Sequence, residues 1–283
     1  MPVRLIALDI DGTLLDEHSQ LPAINRDAVA AAAARGIEIA LVTGRRYDFA
    51  TPIARQFPCP LTMIVNNGAL VKSSSGETQY VNLLPCSTAA SVLEETSAFR
   101  ELASVCFNRP HKNQVMYEHI DWDDPLRGVY FQRNQEYLGE ISPLEDCLTE
   151  DPIQVMFTGY VDQVREVESF LARLPFASKY SIAKTLYNKR NFGLVDVVAP
   201  GCSKGATLAE WVRRRGWSRE DVMAIGDNHN DLEMLSYAGI PVVMGNSVPE
   251  LKAYGWHETR SNDEGGVAAA IEHFALREPA PCA

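Results

Sequence analysis

The sequence predicts an α/β fold, in which a doubly wound parallel sheet is interrupted by an inserted α+β domain. Two observations carry this prediction. Short apolar runs alternate with helical stretches near both ends of the chain, as in parallel sheets whose strands are joined by helices. Between these regions, from residue 85 to residue 195, the alternation gives way to shorter mixed segments.

The first region contains three predicted strands, at residues 3–10, 37–42 and 61–65. Their continuous apolar content is typical of strands buried on both faces. A helix over residues 22–35 ends at Gly36, and a second helix runs to about Phe57. Asn66-Asn67-Gly68 is a strong turn signal after the third strand. Strand, helix, strand, helix, strand with short loops indicates a doubly wound sheet.

The inserted segment is less regular. It contains predicted helices at 87–102 and 161–174, strand-like runs at 115–118 and 153–158, and a hairpin around 188–191. Residues 121–140 show no clear period. The first pattern returns from residue 196, with helices predicted at 204–215, 232–238 and 265–276 and strands at 222–225 and 240–244. We therefore expect a core of residues 1–84 and 196–283, and an inserted domain of residues 85–195.

Composition narrows the functional classes. The 283 residues are 46% hydrophobic, enough to bury a sizeable core and to form two domains. With 26 Lys plus Arg against 37 Asp plus Glu, the net charge of -11 argues against a general nucleic-acid binder. A phosphorylated small molecule stays compatible, because a metal ion and one lysine can form a local positive site. The sequence does not indicate the oligomeric state.

The cysteines and the apolar runs bear on location. None of the six cysteines forms a C-x-x-C pair, which indicates reduced thiols in a cytosolic protein. Asp9 and Asp11 interrupt the first apolar run, so no signal peptide is predicted. The alanine-rich stretch at 28–34 is too short to span a bilayer. We expect a cytoplasmic protein without membrane association.

Carboxylates follow the first predicted strand, in the run Asp9-Ile10-Asp11-Gly12-Thr13. Ligands bind at the carboxyl ends of strands in open α/β sheets, and Gly12 allows a turn that points both carboxylates into one crevice. Oxygen-only ligands favour a hard cation, Mg²⁺ before Ca²⁺. The spacing does not fit an EF-hand loop. A polar loop with accidental carboxylates is the alternative.

Two further elements could contact an anion. Thr43-Gly44, at the end of the second strand, offers a hydroxyl and an unhindered amide, although Thr-Gly is also common in turns. Lys204 stands at a predicted helix start, where the helix dipole disfavours a cation, so an anion would compensate it. An exposed lysine that points into solvent is the other interpretation.

The run Gly226-Asp227-Asn228-His229-Asn230-Asp231 follows a later predicted strand. Asp227 is placed to complete a metal site. Asn230 or Asp231 could instead cap the following helix, and for Asp231 both interpretations stay open.

These four runs stand in order at the ends of four strands, and together they resemble the haloacid dehalogenase superfamily of phosphotransferases. The similarity is greater to its Cof-type phosphatases with a large α/β cap, and it covers both core segments and the position of the insert. The resemblance implies that Asp9 is the nucleophile, that Asp11 is the general acid and base, and that Mg²⁺ is the cofactor. It implies that the Asp9 carboxylate, the Asp11 carbonyl and the Asp227 carboxylate bind the metal, and that Asp231 supports these ligands without binding the metal itself. Phosphate contacts are implied for Ile10, Thr43, Gly44, Lys204 and Asn230.

The resemblance also implies that the insert is a cap that selects the substrate, a small phosphorylated metabolite. Its candidate contacts are Arg127, Tyr130, Arg133, Tyr187, Lys189 and Arg190, for each of which a solvated loop position is the alternative. The first substrate class to expect is a sugar phosphate, and nucleotides and phosphorylated cofactors are the alternatives. A sugar phosphomutase would use the same core residues. A catalytically silent binding module is the third hypothesis, against which the presence of Asp9, Asp11 and Asp227 argues.

Overall fold

The computed structural model describes residues 3–187 and 190–277. The strands are β1 (Leu5–Leu8), β2 (Glu38–Val42), β3 (Thr62–Val65), β4 (Leu70–Ser73), β5 (Thr78–Val81), β6 (Ala103–Cys106), β7 (Val115–Tyr117), β8 (Leu138–Glu140), β9 (Gln154–Gly159), β10 (Ser181–Tyr187), β11 (Phe192–Val198), β12 (Val222–Gly226), β13 (Ile240–Val243) and β14 (His257–Glu258). The helices are α1 (Ala23–Ala34), α2 (Tyr47–Ala54), α3 (Cys86–Glu95), α4 (Arg127–Gln132), α5 (Val161–Leu171), α6 (Lys204–Arg214), α7 (Leu232–Tyr237), α8 (Pro249–Lys252) and α9 (Gly266–Ile271). Within the described ranges no helix is both long and apolar enough to cross a bilayer.

The chain divides into two compact units, residues 1–81 with 203–283, and residues 82–202. The sequence placed these boundaries after residues 84 and 195. The second boundary lies later because β11 continues to Val198, which pairs with Ser181 of β10 in antiparallel register. Residues 196–198 therefore belong to the second unit's sheet.

The first unit contains an eight-stranded sheet of order β14-β13-β12-β1-β2-β3-β4-β5. The strands from β14 to β3 are parallel, as predicted, whereas β4 and β5 add antiparallel strands at one edge. Only residues 66–69 separate β3 from β4, and a parallel pair would need a crossover of a dozen or more residues. The Asn66–Gly68 turn therefore reverses the direction of the chain between β3 and β4. The prediction of a parallel sheet did not include this reversal.

Helices cover both faces of this sheet. Leu5 and Ala7 of β1 pack in one cluster with Leu208 of α6 and Met234 of α7. On the other face α1 packs against α9, and the fully buried Asn25 of α1 is satisfied on both sides. Its Nδ2 donates to the Leu14 carbonyl at 3.1 Å, and its Oδ1 accepts from the Ala268 amide at 3.1 Å. This anchors the loop after β1 to the helical layer.

The second unit is a six-stranded sheet of order β10-β11-β9-β6-β7-β8. Phe157 of β9 packs with α3 and α5 on one face. Side chains alternate along a strand, so Thr158 faces the other side, where it contacts α4. Residues 121–140, predicted to be irregular, contain α4 and β8.

The predicted helix at 87–102 is shorter in the structure. The regular α-helix ends at Glu95, where the Thr96 hydroxyl donates to the Val92 carbonyl at 2.6 Å, and a 3-10 segment Ser97–Leu102 follows. The predicted hairpin has its two strands, with Tyr187 paired to Phe192, while residues 188 and 189 at its tip lie outside the described residues.

Candidate active site

Three adjacent parallel strands bring the predicted site residues to one edge of the sheet. Asp9 follows β1, Thr43 follows β2, and Asp227 follows β12. Because β1 pairs with both β12 and β2 in parallel register, their carboxyl ends meet at the same edge. The Asp9 amide donates to the Ile225 carbonyl at 3.0 Å, which fixes the start of the loop.

The loop after Asp9 is a wide turn over Ile10–Leu14, closed by a 3.0 Å bond from the Leu15 amide to the Ile10 carbonyl. Gly12 has φ +85°, a conformation that L side chains rarely adopt, and a Cβ at this position would collide with the Asp227 carboxylate. The Asn246 side chain donates to the Gly12 carbonyl at 2.8 Å. The turn therefore requires glycine for two independent reasons.

Lys204 lies in the centre of the site and is only 1% exposed. Its Nζ donates to Asp9 Oδ1 at 2.6 Å and to Asp231 Oδ1 at 2.7 Å. It opens α6 after Ser203, whose hydroxyl caps the helix by accepting from the Ala206 amide at 3.1 Å. The predicted anionic compensation of Lys204 is thus provided by two carboxylates of the chain itself.

Asp231 joins two loops of the site and is fully buried. Its Oδ2 accepts from the amides of Asp227 at 2.9 Å and Asn228 at 3.0 Å, while Oδ1 accepts from Lys204. The bond from the Asn228 amide closes a capping box over the 3-10 turn His229–Asp231, which leads into α7. Asp231 thus combines a contact at a helix start with a bond from Lys204, and its place behind a metal site stays a prediction.

Asp227 is held by Thr13, for which no role was predicted. The Thr13 hydroxyl donates to Asp227 Oδ1 at 3.0 Å, and both side chains are buried. The sequence contains one indication of a role for Thr13, which is its position at the end of the run that begins at Asp9. The contact joins residues 214 positions apart, so local pattern alone could not indicate it.

Three carboxylates converge on this edge of the sheet. Oxygen atoms of Asp9, Asp227 and Asp231 all lie within 4.8 Å of one another, and all three residues are buried. Burial and the charge of Asp231 raise the pKa of Asp9 to about 7, against the opposing effect of Lys204. Burial, Asp9 and Asp231 likewise raise the pKa of Asp227 well above its usual range. Burial alone would lower the pKa of Lys204, but Asp231 and Asp9 raise it.

This charge balance fits a divalent cation. One lysine faces three carboxylates, and a cation between two of them would relieve the repulsion that raises their pKa values. An all-carboxylate donor set suits a hard ion such as Mg²⁺. Both oxygens of Asp231 already accept hydrogen bonds, whereas Asp9 and Asp227 each use one oxygen in such a bond. Asp9 and Asp227 are therefore the better side-chain ligands.

Asp11 makes a different contact from its neighbours. Its carboxylate forms a two-point ion pair with Arg45, with Nε to Oδ2 at 2.6 Å and Nη2 to Oδ1 at 2.5 Å. About a quarter of each side chain is exposed, at 26% for Arg45 and 27% for Asp11. No role was predicted for Arg45, although it directly follows the Thr43-Gly44 pair. Such paired hydrogen bonds fix the orientation of a carboxylate.

The Thr43-Gly44 loop is organised by an asparagine from the turn after β3. The Asn67 amide donates to the Thr43 carbonyl at 3.0 Å, and its Oδ1 accepts from Asn230 Nδ2 at 3.1 Å. A Cβ on Gly44 would approach this Oδ1 to 3.0 Å. Asn67, read only as a turn residue, thus connects Asn230 to this loop.

The six candidate contacts of the insert differ in their surroundings within the second unit. Arg127 is buried, with Nε donating to the Thr158 hydroxyl at 3.0 Å. Tyr130 and Tyr187 pack against Phe192, with ring centroids at 5.6 and 6.4 Å. Arg133 and Arg190 are exposed, and Lys189 lies outside the described residues.

The cysteines of the described residues are free. Cys59, Cys86, Cys106, Cys147 and Cys202 form no disulfide, and Cys282 lies outside the described ranges. Burial raises the pKa of the Cys147 thiol to about 12. This thiol is therefore protonated at neutral pH.

Comparisons with known proteins identify phosphatases that are similar to this chain. The 5-amino-6-(5-phospho-D-ribitylamino)uracil phosphatase YitU of Bacillus subtilis (strain 168) is 25% identical to this chain, over 96% of this chain and 98% of that protein. Pyridoxal phosphate phosphatase YbhA of Escherichia coli (strain K12) is 27% identical, over 89% of this chain and 92% of that protein.

A crystal structure of a haloacid dehalogenase-like hydrolase from Bacteroides thetaiotaomicron is 26% identical and matches with a TM-score of 0.77, over 96% of this chain and 99% of that one. The family model for haloacid dehalogenase-like hydrolases matches residues 6–271. The chain therefore belongs to the haloacid dehalogenase-like hydrolase family, and the predictions of this family and of a phosphoric monoester hydrolase are confirmed.

Proposed function

We propose that the chain is a Mg²⁺-dependent phosphatase that hydrolyses a small phosphorylated metabolite through an aspartyl-phosphate on Asp9. The observation that carries the proposal is the buried arrangement at the sheet edge. Asp9 accepts a hydrogen bond from Lys204, and its carboxylate lies within 4.8 Å of those of Asp227 and Asp231. A nucleophile, a cation and metal-binding oxygens are the parts that phosphoryl transfer requires.

We assign metal ligation to the carboxylates of Asp9 and Asp227 and to the Asp11 carbonyl, with Asp231 holding Lys204 and the Asp227 backbone from behind. Mg²⁺ bound there would neutralise charge between the anionic nucleophile and the anionic phosphate. Thr13 would keep Asp227 oriented through its hydrogen bond to Oδ1.

In the first half of the reaction, an Asp9 oxygen attacks phosphorus in line. The Ile10 amide, Thr43, Gly44 and Lys204 would hold the phosphate oxygens, with Asn230 acting beside them through Asn67. The bond between phosphorus and the leaving oxygen breaks, and Asp11 protonates that oxygen.

In the second half, a water molecule hydrolyses the aspartyl-phosphate. Asp11, now ionised, takes a proton from the water as the water oxygen attacks phosphorus. The bond from phosphorus to Asp9 breaks, which releases inorganic phosphate and restores the Asp9 carboxylate. In the first half, one Asp11 oxygen would carry the proton while the other keeps its bond from Arg45. In the second half the ionised Asp11 would pair with Arg45 through both oxygens, so Arg45 would orient Asp11 throughout.

The second unit is proposed to act as a cap that selects the leaving group. A sugar phosphate is our leading substrate class. The relatives named for pyridoxal phosphate and for a phosphoribitylamino-uracil support cofactor-type phosphates as the next class to test. We further propose a cytoplasmic enzyme without nucleic-acid or membrane partners, in keeping with its net charge of -11.

The test is the Asp9→Asn variant. We expect hydrolysis of p-nitrophenyl phosphate to fall by about 10³-fold or more, because the nucleophile is lost. EDTA should abolish wild-type activity, and added Mg²⁺ should restore it. Asp27→Asn, at an exposed carboxylate on α1, is the matched control and should keep full activity. If the Asp9→Asn protein is folded and has wild-type turnover, Asp9 is not the nucleophile.

The same assay distinguishes hydrolysis from phosphate transfer between hydroxyls. A phosphatase releases one phosphate per substrate without a bisphosphate primer. A panel of sugar, nucleotide and cofactor phosphates, followed by phosphate release, would then identify the preferred leaving group.

A further inference from the structure

A cavity of about 290 Å³ lies within the second unit. Gly159, the last residue of β9, and Tyr160, which precedes α5, form part of its wall. Glu101, Asp121, Asp124 and Arg127 contribute the charged part. The volume is close to the lower end of the range for small-molecule sites.

Arg127 is the unusual member of this lining. It is only 6% exposed, its Nε donates to Thr158, and its guanidinium lies 5.1 Å from the centre of the Phe131 ring. Its Nη2 is buried and has no hydrogen-bond partner within residues 3–187 and 190–277. Buried donors in native proteins are nearly always satisfied, and an unmade bond from a charged group is costly. An acceptor from outside the chain is therefore expected at this atom.

The backbone keeps one wall of the cavity open. A Cβ on Gly159 would lie 2.7 Å from Gln163 Oε1 and 3.3 Å from Leu102 Cδ2. Gln163 Oε1 is itself held by the Tyr160 amide at 2.9 Å. A larger residue at position 159 would have to displace this capping contact.

The charges around Arg127 restrict what can bind. Glu101, Asp121 and Asp124 line the same cavity as the Arg127 guanidinium, so the lining carries more negative than positive charge. A phosphate or carboxylate could accept from Arg127 but would be repelled by three carboxylates. An ammonium group would suit the carboxylates but has no lone pair for Arg127. A hydroxyl group both accepts and donates, and thus suits both.

We propose that this cavity binds a small uncharged polyol or sugar, with one hydroxyl accepting from Arg127 Nη2 and neighbouring hydroxyls donating to the carboxylates of Glu101, Asp121 and Asp124. The contact would satisfy the buried guanidinium without adding negative charge. Binding of this kind requires neither the metal nor the phosphate ester.

The experiment measures binding of xylitol and glucose to the full chain by calorimetry and by ligand-observed NMR, in EDTA and without phosphate. We expect a dissociation constant of about 1 mM for at least one probe. Arg127→Met should weaken it about tenfold or more, because a hydrogen bond from a charged donor is lost. Arg165→Met, at an exposed arginine on α5 that does not line the cavity, is the matched control and should bind as wild type does.

A second pair of variants keeps the test valid if Arg127→Met is unstable. Asp121→Asn changes an exposed lining carboxylate and should weaken binding, whereas Asp123→Asn, two residues away and outside the lining, should not. The proposal is overturned if neither probe binds in the millimolar range, or if Asp121→Asn and Arg127→Met both bind as wild type does. Arg127-dependent binding of inorganic phosphate or ethanolamine in place of the neutral probes would also overturn it. Because no phosphate ester is present, this outcome is separate from the outcome for the phosphatase.

Discussion

Lys204→Met is the substitution for which the structure makes the sharpest prediction. Lys204 is 1% exposed and forms two ion pairs, at 2.6 Å to Asp9 and at 2.7 Å to Asp231. Methionine has a similar length and no charge, so the substitution removes the lysine charge from the buried cluster and leaves the carboxylates of Asp9, Asp227 and Asp231 in place. The Lys204→Met chain must therefore bury uncompensated negative charge or protonate it.

The magnitude follows from this burial. Removing one partner of a buried ion pair costs about 3–5 kcal/mol, whereas an exposed pair contributes about 0–1 kcal/mol. We expect Lys204→Met to lose about 3–5 kcal/mol of unfolding free energy in EDTA, and Mg²⁺ to restore part of it by compensating the same carboxylates. Catalytic activity should also be lost, because Lys204 is proposed to hold the phosphate.

The assay is urea unfolding followed by tryptophan fluorescence. Trp211, Trp217 and Trp256 belong to the unit that contains Lys204, so three of the four tryptophans report on it. Lys252→Met is the matched control in the same unit, since Lys252 is 33% exposed and pairs with the exposed Glu258. Its loss should stay near 1 kcal/mol or below.

A double variant tests the cause of the loss. Adding Asp231→Asn to Lys204→Met removes one of the two stranded carboxylates and should recover part of the lost stability. If Lys204→Met is as stable in EDTA as Lys252→Met, the cluster does not depend on the lysine charge. The electrostatic account of the site would then be wrong.

Three further outcomes are expected. Gly12→Ala should reduce turnover by about tenfold or more, because φ is +85° and the new Cβ would displace Asp227; wild-type kinetics would show that the loop adapts. Arg45→Met should slow hydrolysis of an alkyl phosphate about tenfold and hydrolysis of p-nitrophenyl phosphate much less. The reason is that an alkoxide leaving group needs a proton from the oriented Asp11, whereas nitrophenolate does not. Equal losses of activity on both substrates would contradict a positioning role for Arg45. The raised pKa of Asp9, about 7 against 3.8 when unfolded, means that the folded metal-free chain keeps a proton which the unfolded chain has released. The unfolding free energy measured in EDTA should therefore fall as the pH rises from 3.8 to about 7, and it should fall less when Mg²⁺ is present. If the Asp9→Asn chain shows the same dependence of unfolding free energy on pH, Asp9 is not its cause.

The sequence by itself determined the parts that depend on local pattern. Continuous apolar runs predict the strands, and the carboxylates that follow them predict where Asp9 and Asp227 lie. Parallel strands end at a common edge, so this much follows from period and order alone. The antiparallel strands β4 and β5 were missed because an Asn-Gly turn indicates a reversal without indicating which strands pair.

Only the tertiary structure decided which side chains meet. Lys204 and Asp9 are 195 positions apart, and Thr13 and Asp227 are 214 apart. Their contacts depend on the register of β12, β1 and β2, which no local pattern encodes. The same reason explains why the contacts of Asp231, Arg45 and Asn67 could not be predicted from the sequence. Each is fixed by a partner on another loop, and that partner is set by packing of the whole unit.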